Sequence, residues 1–177
     1  LLLRSEVVRL FYAPSQPPAA TIDCPHEAPG LKDWHDPTTW PSGIVPLAGQ
    51  DVDIPAGSNV LISRAPPGVL ARVHVPASSA LIFGDVNLTI AAVGFFVEGT
   101  LRAGSPTCRL HSRITIQLEG TRPASGARAE AWYKGLHVTG LLDLHGKRFR
   151  PTWTRLAARA STGDTILLLE HSVNWEA

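Results

Sequence analysis

The sequence predicts an all-β protein, a right-handed parallel β-helix (solenoid) of about 20–22 residues per coil with an irregular amino-terminal cap. Three observations carry this expectation. Fifteen Gly and fifteen Pro punctuate the chain, with short runs of Val, Ile, Leu and Phe between them, a pattern of strands and turns rather than of helices. An apolar-x-apolar triplet recurs as Val52-Asp53-Ile54, Val73-His74-Val75, Phe95-Phe96-Val97, Ile116-Gln117-Leu118 and Leu136-His137-Val138, at nearly constant spacing. A turn follows each triplet at the same phase: Pro55-Ala56-Gly57, Pro76-Ala77, Glu98-Gly99, Glu119-Gly120 and Thr139-Gly140.

Within each unit the side chains must alternate across the strand. Val52, Val73, Phe95, Ile116 and Leu136 are therefore expected in one inward column, and Ile54, Val75, Val97, Leu118 and Val138 in a second. Asp53, His74, Phe96, Gln117 and His137 would form an outward column. Second apolar stretches closed by glycine, at residues 80–84, 100–104 and 141–146, give at least two strands per coil. One unit cannot bury its apolar face alone, so the stack itself provides the core. Leucine-rich repeats share the period but require an asparagine ladder that this sequence lacks. Residues 13–43 fall outside the period, are rich in Pro and carry Cys24, Trp34 and Trp40, as suits a cap over the terminal coil. Residues 122–134 are the largest irregular insertion.

Composition narrows the function. A chain of 177 residues with 44% apolar and 18% charged side chains suits one globular domain. Its net charge of +1 sets up no field for nucleic acid or anionic lipid. The longest apolar runs, such as residues 91–97, are far shorter than the roughly 20 residues of a transmembrane helix. The absence of Met and the opening Leu1-Leu2-Leu3-Arg4 read as a fragment or a processed product. Cys24 and Cys108, far apart in the sequence and in no CxxC arrangement, are either a disulfide or two buried thiols.

Several groups invite chemistry. Asp33, His35 and Asp36 cluster, and Asp51 with Asp53 would lie about 7 Å apart on one strand face. Calcium is conceivable there, but it takes roughly six to eight oxygens, and turn hydrogen bonds explain these residues equally well, so no metal site is assigned. If the protein were an enzyme, the acid–base candidates would be Asp53 with His74 and Asp143 with His145. Their structural counterparts, a solvated ladder and a turn histidine bonded to the backbone, are preferred. No GxSxG, HExxH, P-loop or dinucleotide fingerprint is present. Trp132 and Tyr133, beside Arg128, either stack on sugar rings or tuck against the coils. Asn87-Leu88-Thr89 is an N-glycosylation sequon whose Asn87 and Thr89 should face solvent.

Trp34-His35-Asp36-Pro37-Thr38-Thr39-Trp40-Pro41-Ser42-Gly43 and Gly49-Gln50-Asp51-Val52-Asp53-Ile54-Pro55-Ala56-Gly57 resemble the opening of the G8 domain. Gly99-Thr100-Leu101, Ile114-Thr115-Ile116-Gln117-Leu118-Glu119-Gly120, Gly140-Leu141-Leu142-Asp143-Leu144-His145-Gly146 and Trp153-Thr154-Arg155-Leu156 resemble its later motifs, in order. The resemblance divides the chain into a cap, residues 1–33, and a G8-like domain, residues 34–177, that stops at Val173-Asn174-Trp175-Glu176-Ala177, just before the family's closing Gly-Asp. It implies a non-catalytic extracellular module of fibrocystin-like proteins, a rigid interaction element at the cell surface, on cilia or flagella included. Its partners would be neighbouring extracellular domains or subunits of the same assembly. It also implies a Cys24–Cys108 disulfide, while the sequon predicts, independently of the resemblance, a glycan at Asn87. The alternatives are a glycan-cleaving ectodomain, as in the family's cell-migration-inducing hyaluronidases, and a carbohydrate-binding module.

Overall fold

The structure, a computed structural model, describes residues 23–120 and 134–175. Ten short strands are assigned there, with two 3₁₀ turns (Pro25–Glu27 and Pro37–Thr39) and no α-helix. Strands β1 (Lys32–Asp33), β3 (Asn59–Ile62), β5 (Ala80–Phe83), β7 (Thr100–Ala103) and β10 (Leu141–Leu144) form one sheet in that order. Strands β2 (Val52–Asp53), β4 (Val69–Val75), β6 (Leu88–Val97) and β8 (Ile114–Leu118) form the second, with β9 (Leu136–Val138) also paired to β6. Every ladder between these strands is parallel, and the chain alternates between the sheets as far as β8, so the molecule is a β-solenoid of about three turns.

The first three triplets stack as expected. Val52 lies opposite Val73 and Val73 opposite Phe95, with Asp53, His74 and Phe96 in register beside them. Val52, Val73, Val75, Phe95 and Val97 are all buried, so the alternation read from the sequence points the right side chains inward.

The fourth triplet does not follow Phe95-Phe96-Val97. Ile116 pairs with Ile90 and Leu118 with Ala92, whereas Leu136, His137 and Val138 pair with Phe95, Phe96 and Val97. The cause is a bend. Buried side chains in β4 and β6 step by two except between Leu70 and Val73 and between Ala92 and Phe95, where they step by three. An extra residue at one point of a strand breaks the pleat and turns the strand. Each long strand therefore offers two straight halves; β8 stacks on the first half of β6 and β9 on the second. The coil from Val97 to Val138 is thus close to double the length of those before it.

Trp34 and Trp40 close the amino-terminal end. Both are buried, with ring centroids 5.0 Å apart in an edge-on arrangement. Trp40 Nε1 donates to the Trp34 carbonyl at 2.7 Å, and the Trp34 amide donates to the Leu61 carbonyl at 2.8 Å, which anchors the pair to the coil beneath. Cys24 and Cys108 are joined by a disulfide that ties the segment before β1 to the loop after β7. Beside it, Arg102 reaches Asp23 at 2.7 Å and the Ser105 hydroxyl donates to the Asp23 carbonyl.

Candidate functional site

Parallel in-register strands bring like positions of successive coils within reach of one another. On the outward side of the second sheet this builds the expected ladder, with one substitution: Asp53, His74, Phe96 and His137 are successive members, while Gln117 lies opposite Ala91. The His74 and Phe96 rings stack with centroids 5.4 Å apart, and Phe96 and His137 with centroids 5.3 Å apart. His74 Nδ1 is 2.9 Å from Asp53 Oδ1, and its Nε2 is 3.0 Å from Glu98 Oε2. Each ring nitrogen of His74 thus faces a carboxylate oxygen. Asp53 also accepts from Arg72 Nη2 at 3.2 Å. Sequence reading placed Asp53 beside His74 and missed Glu98, which enters from the turn after the next strand.

The second candidate pair lies in the other sheet. His145 Nε2 is 2.6 Å from Asp143 Oδ1, and Asp143 Oδ2 accepts from Arg102 Nε at 2.9 Å. The His145 partner is thus a carboxylate rather than the expected backbone carbonyl. Its main chain also binds the stack: its amide donates to Ala103 and its carbonyl accepts from Leu110. Asp53 with His74 and Asp143 with His145 therefore belong to separate sheets, each pair closed by its own ions.

Of the remaining acidic candidates, Asp33 and Asp36 serve turns and Asp51 joins neighbouring coils. Asp33 Oδ1 accepts from the His35 amide, Asp36 Oδ1 from the Thr38 amide and hydroxyl, and Asp51 Oδ1 from the Arg72 amide. The Thr38 amide and then its hydroxyl hold the Asp36 carboxyl below the usual range. Among the described residues no three His, Cys, Asp or Glu side chains are grouped to hold a metal. Arg128, Trp132 and Tyr133 lie outside the described residues.

A groove of about 930 Å³ opens beside the start of β6, lined by Asn87, Thr89, Arg113, Thr115, Lys147 and Phe149. None of the four acid–base candidates lines it. Asn87 and Thr89 are exposed on either side of buried Leu88, as alternation requires, and Asn87 Oδ1 accepts from the Arg113 amide at 2.7 Å. Sequence reading found the sequon but not Arg113, Lys147 and Phe149, which come from two separated segments with no shared motif.

Asp85 pins the neighbouring loop by accepting from the His111 and Ser112 amides, each at 2.8 Å. Burial works to raise its pKa, but hydrogen bonds from Ser112 and His111 outweigh it and hold the carboxyl at about 2. Against an unfolded value near 3.9, ionised Asp85 contributes about 2 kcal/mol, present above roughly pH 4 and lost as pH falls towards 2. Melts of the parent and Asp85→Asn should differ by about that amount at pH 7 and converge near pH 2. A gap that does not change with pH would assign the effect to shape rather than charge.

Fold and site together define a disulfide-pinned parallel β-solenoid module in which the four acid–base candidates are held in two ion-paired groups. The chain belongs to the G8 domain family, whose model matches residues 39–157. A G8 domain-containing protein of Dictyostelium discoideum is 38% identical over 160 residues, covering 86% of this chain. Communication mutant protein F of the same organism is 37% identical over 160 residues. Human Fibrocystin-L is 29% identical over 150 residues, covering 81% of this chain. The chain spans 14% of the length of the two Dictyostelium relatives and 3% of Fibrocystin-L. No solved structure gives a significant match. No helix among the described residues is long and apolar enough to cross a membrane.

Proposed function

We propose that this chain is a non-catalytic extracellular module, a rigid structural and interaction element of a larger cell-surface protein, of ciliary or flagellar surfaces included. The observation that carries this reading is the mutual commitment of the acid–base side chains. Asp53 and Glu98 hold both nitrogens of His74, and Arg102 with His145 holds Asp143. A glycosidase needs two carboxyls roughly 5–10 Å apart across one sugar cleft, one of them available as an acid. Pairs on separate sheets do not meet that need. The disulfide supports an oxidising compartment. Partners on this reading are neighbouring extracellular domains or subunits of the same assembly, with glycans as a further ligand class for Trp132 and Tyr133.

Incubation with hyaluronan should leave the polymer length unchanged on size exclusion. Fragmentation abolished by Asp53→Asn or His145→Ala would replace this reading with the hydrolase one. Protein secreted by its native host should also carry a glycan at Asn87, seen as a mass loss on glycosidase treatment. An unmodified Asn87 on such material would remove that support for the extracellular assignment.

A further inference from the structure

The groove beside β6 holds the glycosylation sequon in its own lining. Thr89 in β6 is in register with Thr115 in β8, and Asn87 and Arg113 each stand two residues earlier. Side chains two apart on a strand share a face, so these residues form one outer face of the paired strands, and all of them are exposed. Lys147 and Phe149, from the segment after β10, add a cation and an aromatic ring to the same cavity of about 930 Å³. That size falls in the range of roughly 300–1,000 Å³ typical of small-ligand sites. None of the described residues that line it is acidic. Its chemistry suits a neutral sugar: threonine hydroxyls and basic side chains meet hydroxyl and carbonyl oxygens, and Phe149, 37% exposed, presents apolar ring surface to the C–H face of a pyranose.

The Asn87 amide is already positioned. Its Oδ1 accepts from the Arg113 amide at 2.7 Å, which fixes the plane of the group. An N-linked sugar is carried on Nδ2 and leaves Oδ1 in place, so glycosylation keeps that hydrogen bond and gives the first sugar a fixed root on the lining. We infer that the groove is the binding site of the protein's own glycan: the first N-acetylglucosamine units on Asn87 lie in it, stacked on Phe149 and hydrogen-bonded by Arg113, Lys147 and Thr115. Tethering selects this occupant over a free saccharide of the same chemistry. A sugar rooted in the lining is presented at an effective concentration on the order of millimolar, and a free ligand has to displace it. Bound there, the glycan joins β6 and β8 to the segment after β10. The inference deepens the glycan at Asn87 proposed above and rests on it.

Hydroxyl-radical footprinting read by mass spectrometry, on the natural gene product secreted by its own host, tests this directly. The sugar-free comparison is Thr89→Ala, which abolishes the sequon and keeps Asn87 with its bond to Arg113. Phe149 should oxidise more slowly in the glycosylated parent by roughly threefold or more, with Leu47, exposed in the loop before β2, oxidising equally in both. Should Thr89→Ala not be secreted, parent protein stripped by an N-glycosidase takes its place. Phe149→Ala should also speed release of the glycan from the folded protein by roughly threefold or more, and the footprint decides alone if that variant does not fold. A parent with no sugar at Asn87 would bring down the glycan reading and the inference together. A glycosylated parent whose Phe149 oxidises at the same rate as in Thr89→Ala would overturn the inference alone, whether the ring is open in both or covered in both by another part of the chain.

Discussion

Replacing Cys24 and Cys108 together by alanine is expected to lower the melting temperature by roughly 10 °C or more. The bridge closes a loop of 84 residues, for which the loss of chain entropy in the unfolded state corresponds to about 4–5 kcal/mol. At this chain length each kcal/mol shifts the midpoint by about 2–4 °C. The effect should be concentrated where the bridge acts. Asp23 is bonded to Arg102, Thr107 and Ser105, and those contacts then hold the amino-terminal segment to the coil without covalent help. Calorimetry with and without reductant measures the loss, and the double variant should be insensitive to reductant. A parent protein whose midpoint moves by less than about 3 °C on full reduction would mean that the polar contacts alone suffice.

Gly99→Ala is the second substitution with a large expected effect. The turn joining β6 to β7 consists of Glu98 and Gly99 alone, whereas the turn above it, from β4 to β5, runs through Pro76, Ala77, Ser78 and Ser79. The shorter turn cuts inside the longer one, and a Cβ on Gly99 would lie 2.2 Å from the carbonyl oxygens of both Pro76 and Ser79. Those oxygens are themselves fixed, accepting from the Ser79 and Thr100 amides. No flexible side chain can give way, so the coils must separate, at a cost of about 3 kcal/mol or more. Gly140 repeats the arrangement one coil later, its Cβ position 2.1 Å from the Gly99 oxygen. Gly57 provides the contrast: nothing lies within 4 Å of its Cβ position, and only its φ of +71° resists a side chain. Gly57→Ala should therefore cost about 1–2 kcal/mol. Denaturant melts that ranked Gly57→Ala as the more damaging change would show that the turns slide apart freely.

The sequence by itself determined the architecture and its first three coils. An apolar residue at every second position can bury only one face of a strand, and a regular recurrence of that pattern brings those faces into register, so Val52, Val73 and Phe95 had to share a column. It also marked Asn87 and Thr89 as outward and identified the family through ordered motifs. The disulfide needed that family resemblance, since the spacing of two cysteines does not say whether they meet.

Where the period failed, it failed for a physical reason. Strands β4 and β6 bend, so one rung contains two straight halves that both read apolar-x-apolar, and an insertion between β8 and β9 has about the length of a coil. Ile116-Gln117-Leu118 and Leu136-His137-Val138 consequently look like two rungs and are two halves of one. Glu98 meets His74 only because a turn from the neighbouring coil passes its ring, and Arg113, Lys147 and Phe149 meet only across the groove. Leu142 and Leu144 stand in register with Leu101 and Ala103. That they lie open while Leu101 and Ala103 are buried was for the tertiary structure to decide, because alternation sets the direction of a side chain and only the next coil supplies atoms to cover it.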